Sequence, residues 1–386
     1  MTRPILRPLL SLAAALALPA PAAAEAPQDS FGNPADLPGS YVPSVPEREQ
    51  APQPLNAQET QAREAERAES GETAPLPQED AAASASLFAG GKLIQPSGLS
   101  VGLASSADPR ATEVGMQILR EGGSASDAAM AMMLALTVVE PQSSGIGGGG
   151  FLVHASGTDG AITTIDGRET APVAAQSDRF LGPDGQPLPF VQAFQGGKSV
   201  GVPGNIRLMA LVHEKWGKLP WADLFMPAIQ LAEGGFDVNE TLEGRLKDIA
   251  PLWDRFPEAK EIYWKNGAPA KVGDTITNPK LAATFERMAD LGPDAFYSGQ
   301  TAQEIINAVR TTAVNPSDMT QDDLNAYQAV ERDAVCMPYR TYRICGMGPP
   351  SSGATTVLQI LGMLENFDLP KLGSGSPESW HLIGEA

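Results

Sequence analysis

An apolar helix followed by a glycine-rich passage constrains the fold of this chain most. Residues 126–139 are apolar on nearly every face of a helix, and Pro141 follows them. A helix without a polar face must be buried on all sides in a folded domain. Residues 145–150 are five glycines and one isoleucine, and the strand pattern of residues 151–154 comes directly after them. The sequence therefore predicts a buried helix packed in a layered domain with a sheet.

Cap and turn residues define the neighbouring elements. Asp108 before Pro109 is typical of a helix start, and the glycines after Glu121 indicate its end. Ser126 is expected to cap the buried helix, and residues 166–168 are expected to turn out of a second strand. Helical spacing recurs at 206–216, 221–233, 281–291 and 354–366, and strand patterns occur at 161–165, 334–338 and 342–347. This mixture predicts an α/β (α+β) fold with a buried sheet.

The first 24 residues have the three parts of a secretory signal peptide: a basic start, an apolar run and a small-residue cleavage site. The apolar run is too short to span a bilayer, which takes roughly 20 residues. A buried N-terminal helix is the alternative. We expect residues 1–24 to be removed, and the protein to be periplasmic or secreted without a membrane anchor.

Residues 25–88 are predicted to form a disordered acidic linker rich in Pro, Ala and Glu. The stretch from Glu25 to Gly90 holds nine prolines and twelve acidic residues against three basic ones, too little apolar surface to offset the entropy of ordering. The whole chain has a formal net charge of −19. Such a charge repels nucleic acid and anionic membranes, so neither is expected as a partner.

Two cysteines, Cys336 and Cys345, are the only ones in the chain. In an exported protein they are a candidate disulfide. If Arg340 and Thr341 form a two-residue turn, the cysteines face each other on adjacent strands; two packed thiols are the alternative. No cluster of metal ligands accompanies them, so no metal is expected.

Two other functional patterns, dinucleotide binding and serine hydrolase chemistry, are poorly supported. Gly145, Gly147 and Gly150 match a dinucleotide fingerprint, but that fingerprint must follow a strand and open a helix, whereas here it follows a helix and opens a strand. A tight backbone passage or close strand packing is the better explanation. No nucleophile-elbow motif is present, and the three histidines (His154, His213 and His381) are more typical of packed or surface residues. A Thr or Ser nucleophile with its own N-terminal amine as base needs no histidine.

Arg168 is the candidate binding residue. It lies in the stretch Asp-Gly-Arg-Glu-Thr-Ala-Pro of residues 166–172, at the end of an expected strand. Loops at strand ends are where sites are built, and a guanidinium can bind a carboxylate through two parallel hydrogen bonds. A solvated surface arginine is the alternative on spacing alone.

Six segments resemble the γ-glutamyltransferase (glutathione hydrolase) family, in the family's order and from about residue 93 to 386. They are 104–106 with 111–113, 140–151, 166–172, 201–204 (Gly-Val-Pro-Gly), 293–297 and 349–353 (Pro-Pro-Ser-Ser-Gly). The resemblance implies an N-terminal nucleophile hydrolase with a four-layer αββα core, of which residues 89–386 would be the large-subunit region. It also implies no cofactor, and a small subunit from the same self-cleaving precursor as partner.

The resemblance further implies a mechanism. The new N-terminal threonine of the small subunit attacks the γ-glutamyl amide of glutathione, and the acyl group passes to water or an amino acid. Arg168 matches the arginine that binds the substrate α-carboxylate. We expect the nucleophile beyond residue 386, so no catalytic residue is assigned and this fragment alone is expected to be inactive. The alternatives are a related acylase, acting on a β-lactam side chain or poly-γ-glutamate, and a truncated inactive product.

Overall fold

The computed structural model describes residues 102–386, together with two short paired strands, β1 (Phe88–Ala89) and β2 (Lys92–Leu93). Contacts separate a unit Met1–Thr73, none of which is described, from a unit Ala74–Ala386. The expected signal peptide and all of the expected linker except Phe88 lie outside the described residues.

Helices make up most of the described regular structure. The α-helices are α1 (Pro109–Arg120), α2 (Ala125–Val139), α3 (Phe190–Ala193), α4 (Asn205–Trp216), α5 (Met226–Gly234), α6 (Glu240–Asp248), α7 (Pro257–Tyr263), α8 (Pro279–Leu291), α9 (Asp294–Tyr297), α10 (Gly299–Thr311), α11 (Gln321–Ala326), α12 (Gly353–Leu364), α13 (Leu369–Leu372) and α14 (Pro377–Glu385). Short 3₁₀ helices span Gly197–Ser199, Trp221–Leu224 and Ala250–Arg255. No helix within residues 102–386 combines the length and apolarity needed to cross a membrane.

The strands form small antiparallel sheets. They are β3 (Gly150–Ala155), β4 (Ile162–Gly167), β5 (Phe236–Asp237), β6 (Trp264–Lys265), β7 (Ala268–Pro269), β8 (Thr275–Ile276), β9 (Val330–Asp333), β10 (Val335–Tyr339) and β11 (Tyr342–Gly346). The largest described sheet has the order β3-β4-β9, with β4 in the centre.

Buried helices cover one face of this sheet. Helix α4 packs against β3 and β4, and α2 packs against α1, α4 and α5. Leu152 and Ile165 are opposite each other on this face, and Ile165 is fully buried. The other face carries Phe151, Val153 and Asp166, and Val153 is about half exposed. The expected buried helix and its sheet are confirmed.

The helix starts follow local chemistry. Asp108 caps α1 by accepting a hydrogen bond from the backbone of Arg110. The expectation that Ser126 caps α2 was wrong, because Ser124 does so and Ser126 lies inside the helix. Ser124 and Asp127 form a capping box, in which each side chain accepts the other's backbone N–H. Buried Asp127 also accepts from the backbone of Lys218, which ties α2 to the end of α4.

Two further expectations need correction. Residues 166 and 167 do not turn out of β4 but extend it, because they pair with Phe151 and Gly150. The helix expected over residues 221–233 is divided into a 3₁₀ turn and α5, since Pro227 has no N–H for the helix ladder. Strand β9 was not expected from the sequence at all.

Strands β10 and β11 form a hairpin with the expected register, which is confirmed. Tyr339 pairs with Tyr342, and Cys336 is directly opposite Cys345. The structure joins the two cysteines by a disulfide bond. Helix α12 packs against both strands.

Candidate functional site

Arg168 lies immediately after the last residue of β4. Its side chain is about half exposed, at 56%. The guanidinium lies 6.0 Å from the centre of the Phe151 ring, on the sheet face that α4 does not cover. Its Nε atom is 3.5 Å from a carboxylate oxygen of Glu169, an ion pair long enough to yield to a better ligand. The arginine is therefore presented to solvent at the end of a fixed strand.

Two hydrogen bonds hold the backbone of Arg168 on either side. Its N–H donates to Oδ1 of Asp166 at 2.9 Å, and its carbonyl oxygen accepts from the hydroxyl of Tyr327 at 2.7 Å. The second oxygen of buried Asp166 accepts from Nε of Arg332, on β9, at 2.8 Å. The loop that carries Arg168 is thus connected to β9 and to the segment that precedes β9.

Tyr327 is itself supported by a second tyrosine. Its ring stacks on that of Tyr297, with centroids 6.1 Å apart and planes 5° from parallel. The hydroxyl of Tyr297 donates to the carbonyl of Pro203 at 2.9 Å and accepts from the N–H of Arg207 at 3.2 Å. Burial, and then the negative charges of Asp166 and Glu169, raise the pKa of Tyr327 to about 12. Tyr327 is therefore a protonated donor to Arg168 at every physiological pH.

Glycines enclose the same loop where no side chain would fit. A Cβ atom on Gly149 would lie 2.6 Å from the nitrogen of Glu169, and one on Gly204 would lie 2.0 Å from the carbonyl oxygen of Gly167. A Cβ atom on Gly201 would lie 2.8 Å from the Cβ of Glu169. The expectation of a tight backbone passage is confirmed, and it extends from the glycine run to the Gly-Val-Pro-Gly segment.

A cavity of about 360 Å³ opens beside Arg168. Besides Arg168, its wall includes Thr170, Arg179, Lys198 and Gly201. The guanidinium of Arg179 is nearly buried and donates to both oxygens of Asp318 at 2.8 Å. This ion pair stabilises the wall of the cavity. The volume lies within the range of small-molecule sites, about 300–1,000 Å³.

The histidines are not brought together. His154 stacks on Trp216 with ring centroids 4.0 Å apart, and burial lowers its pKa. A ring nitrogen of His213 is 2.8 Å from the carbonyl oxygen of Leu219. His381 lies on α14. No group of three or more His, Cys, Asp or Glu side chains in the described part of the chain is arranged to hold a metal ion.

Sequence reasoning did not find Tyr327, Arg332 or Lys198. Each lies in an ordinary polar context, and the first two are separated from the residue they bond by more than 150 positions. Only the pairing of β9 with β4 brings Arg332 to Asp166, and the local sequence carries no signal for that pairing.

Comparison with known proteins identifies relatives of this chain. The sequence model of the family described as gamma-glutamyltranspeptidase matches residues 111–386. The glutathione hydrolase proenzyme of Escherichia coli (strain K12) is 40% identical over 286 residues, 74% of this chain and 48% of that protein. Acylase ACY 1 proenzyme of Pseudomonas sp. (strain SE83) is 35% identical over 298 residues, 76% of this chain and 52% of that protein. The crystal structure of Helicobacter pylori γ-glutamyltranspeptidase has a TM-score of 0.71 at 36% identity, covering 76% of this chain and 82% of that one.

These similarities define first a class and then a family. The mixed helix and sheet architecture is that of the N-terminal nucleophile hydrolases, as expected. The chain belongs to the γ-glutamyltranspeptidase family, which confirms the resemblance of its motifs. It spans about half the length of the curated relatives it matches.

Proposed function

We propose that the protein containing this chain is a γ-glutamyltransferase and glutathione hydrolase. Arg168 carries the proposal, because its backbone is fixed at the end of β4 while its half-exposed side chain lines a cavity of a size typical of small-molecule sites. A guanidinium fork matches the α-carboxylate of a γ-glutamyl group in charge and geometry. The relatives named glutathione hydrolase proenzyme support the substrate class.

In this proposal the described chain orients the substrate, and the small subunit of the same precursor does the chemistry. Self-cleavage frees an N-terminal threonine, whose hydroxyl attacks the γ-carbonyl carbon while its own amine takes the proton. The amide bond breaks, the proton passes to the departing amine, and a γ-glutamyl ester remains on the threonine. Water or an amino acid then attacks the ester and releases the γ-glutamyl group.

The proposal includes the organisation of the precursor. Residues 1–24 would direct export to the periplasm or the medium, residues 25–88 would link them to the domain, and residues 89–386 would form the large-subunit region. The large and small subunits would remain associated as a heterodimer. Residues 1–386 without the threonine subunit would have no γ-glutamyl transfer activity.

A second candidate is amide hydrolysis on another acyl group. The similarity to acylase ACY 1 proenzyme supports it. Arg168 does not separate the two candidates, since the carboxylate of a side-chain acyl group could also bind a guanidinium.

The test uses the protein expressed from its complete reading frame. We expect two subunits on a denaturing gel, N-terminal threonine on the smaller one, and turnover of both glutathione and a γ-glutamyl anilide. Turnover of a β-lactam side-chain amide without γ-glutamyl turnover would favour the acylase. A single uncleaved chain without either activity would overturn both.

A further inference from the structure

Lys198 is a second cation on the cavity that Arg168 lines. Both residues contribute to the wall of the cavity of about 360 Å³. Arg168 follows β4, whereas Lys198 belongs to the 3₁₀ turn Gly197–Ser199, thirty positions further along the chain. Two independent segments therefore bring positive charge to one small space.

The backbone of Lys198 is held in place. Its N–H donates to the carbonyl of Asn315 at 2.7 Å, and its own carbonyl accepts from Nε of Arg179 at 2.9 Å. Gly196, at φ 88°, and Gly197 pack so closely that Cβ atoms would lie 1.8 Å and 1.9 Å from neighbouring carbonyl oxygens. The side chain consequently leaves from a fixed point, and only its own rotamers move the ammonium group.

The charge of Lys198 has no counterion in residues 102–386. The two arginines of the cavity each have one, since Arg168 pairs with Glu169 and Arg179 pairs with Asp318. No carboxylate of the described chain forms an ion pair with half-buried Lys198. An unpaired ammonium in a partly enclosed site attracts an anion, and it binds a carboxylate as a mobile point charge.

We propose that Lys198 forms a second carboxylate subsite on the leaving-group side of the substrate. The inference rests on the proposed function, in which Arg168 binds the α-carboxylate of the γ-glutamyl group. Lys198 then binds a carboxylate of the amine that departs, such as that of the glycine in glutathione. The site prefers γ-glutamyl peptides with a free terminal carboxylate over neutral γ-glutamyl amides.

The test compares two substrates that differ at this carboxylate: glutathione and its glycyl ethyl ester, in which the charge is removed and an ethyl group is added. In the wild-type protein from the complete reading frame, kcat/KM is expected to be roughly three- to fivefold higher for the acid, the size of a partly exposed ion pair. Lys198→Met is expected to bring this ratio close to one, and Lys198→Arg to keep most of it. Lys280→Met is the matched control, because Lys280 is exposed, pairs with Glu261 and does not line the cavity.

The outcomes separate this inference from the proposed function. Loss of the acid-to-ester preference in Lys198→Met but not in Lys280→Met supports the subsite. Equal ratios in the wild type and in Lys198→Met, with γ-glutamyl turnover intact, overturn the subsite alone. Absence of γ-glutamyl turnover in the wild type overturns the proposed function, and the subsite with it.

Discussion

The hydroxyl of Tyr327 donates a hydrogen bond of 2.7 Å to the carbonyl oxygen of Arg168, across a separation of 159 residues. The bond joins the segment before β9 to the loop after β4. Asp166, in β4, makes a second link to this part of the chain by accepting a hydrogen bond from Arg332 in β9. The position of the candidate substrate arginine is therefore set by tertiary structure rather than by its own loop.

Replacement of Arg168 should weaken substrate binding without preventing maturation. A charge-assisted hydrogen bond contributes roughly 1.5–3 kcal/mol, so the loss of one or two should lower kcat/KM by about ten- to a thousandfold. We expect Arg168→Lys to be impaired and Arg168→Ala to be nearly inactive, while both are cleaved into subunits. Initial rates and a denaturing gel measure this. If Arg168→Ala is processed normally and keeps the wild-type kcat/KM, Arg168 is a surface residue with no role in substrate binding.

Tyr327→Phe should act on Arg168 indirectly. It removes the hydroxyl that holds the Arg168 carbonyl, at a cost of about 1 kcal/mol, and the loosened loop should raise KM roughly three- to tenfold with a smaller change in kcat. Tyr263→Phe is the matched control, because Tyr263 is partly buried but makes no side-chain hydrogen bond within residues 102–386. Equal KM values for the two variants would show that Tyr327 does not position Arg168.

Tyr327 should also ionise at a much higher pH than an ordinary tyrosine. Its pKa is raised to about 12 in the folded protein against about 10 unfolded, so the folded state keeps the proton longer. The raised pKa stabilises the folded state. This contribution is fully present below pH about 10 and is lost as the pH rises towards about 12. The difference in phenolate absorbance between the wild type and Tyr327→Phe measures it. A difference that titrates near pH 10 would mean that the hydroxyl is not held as described.

Gly204→Ala should be severely destabilising. The added Cβ would lie 2.0 Å from the carbonyl oxygen of Gly167 and 2.2 Å from the hydroxyl of Tyr327. Such overpacking against backbone costs about 3 kcal/mol or more. Gly147→Ala is the control, since its Cβ would meet no atom within 4 Å. Denaturant unfolding of the two variants measures the difference in stability, and loss of soluble protein for Gly204→Ala alone would also support the prediction. Equal unfolding midpoints for Gly204→Ala and Gly147→Ala would contradict it.

The bond between Cys336 and Cys345 should be present in protein exported to an oxidising compartment. It closes a loop of nine positions, for which chain entropy predicts a stabilisation of about 2–3 kcal/mol. Non-reducing peptide mapping should yield one cross-linked peptide pair. The Cys336→Ala/Cys345→Ala double variant should unfold at lower denaturant concentration than the wild type. Two freely alkylated cysteines in exported protein would show that the hairpin is held without the bond.

Sequence predicted those features that depend on neighbouring residues. Asp108-Pro109 starts α1 as expected, and the hairpin register follows from its two-residue turn. Arg168 could be named as a candidate because its motif is contiguous. Strand β9 was missed because Val-Glu-Arg-Asp has no hydrophobic alternation and all four residues are exposed. The bonds that hold Arg168 were missed for a different reason, since they join chain segments that meet only in the folded domain.

The glycines around Arg168 have a consequence for altering this protein's substrate range. At Gly149, Gly201 and Gly204 the protein approaches its own backbone so closely that adding even a methyl group would displace the arginine. Mutagenesis aimed at new specificity therefore has little freedom on that side of the cavity. Gly196 and Gly197, just before Lys198, are equally constrained, so variation is left to side chains that already line the cavity, such as Lys198 and Val200. A library directed at those side chains would explore new leaving groups while the γ-glutamyl end stays in place.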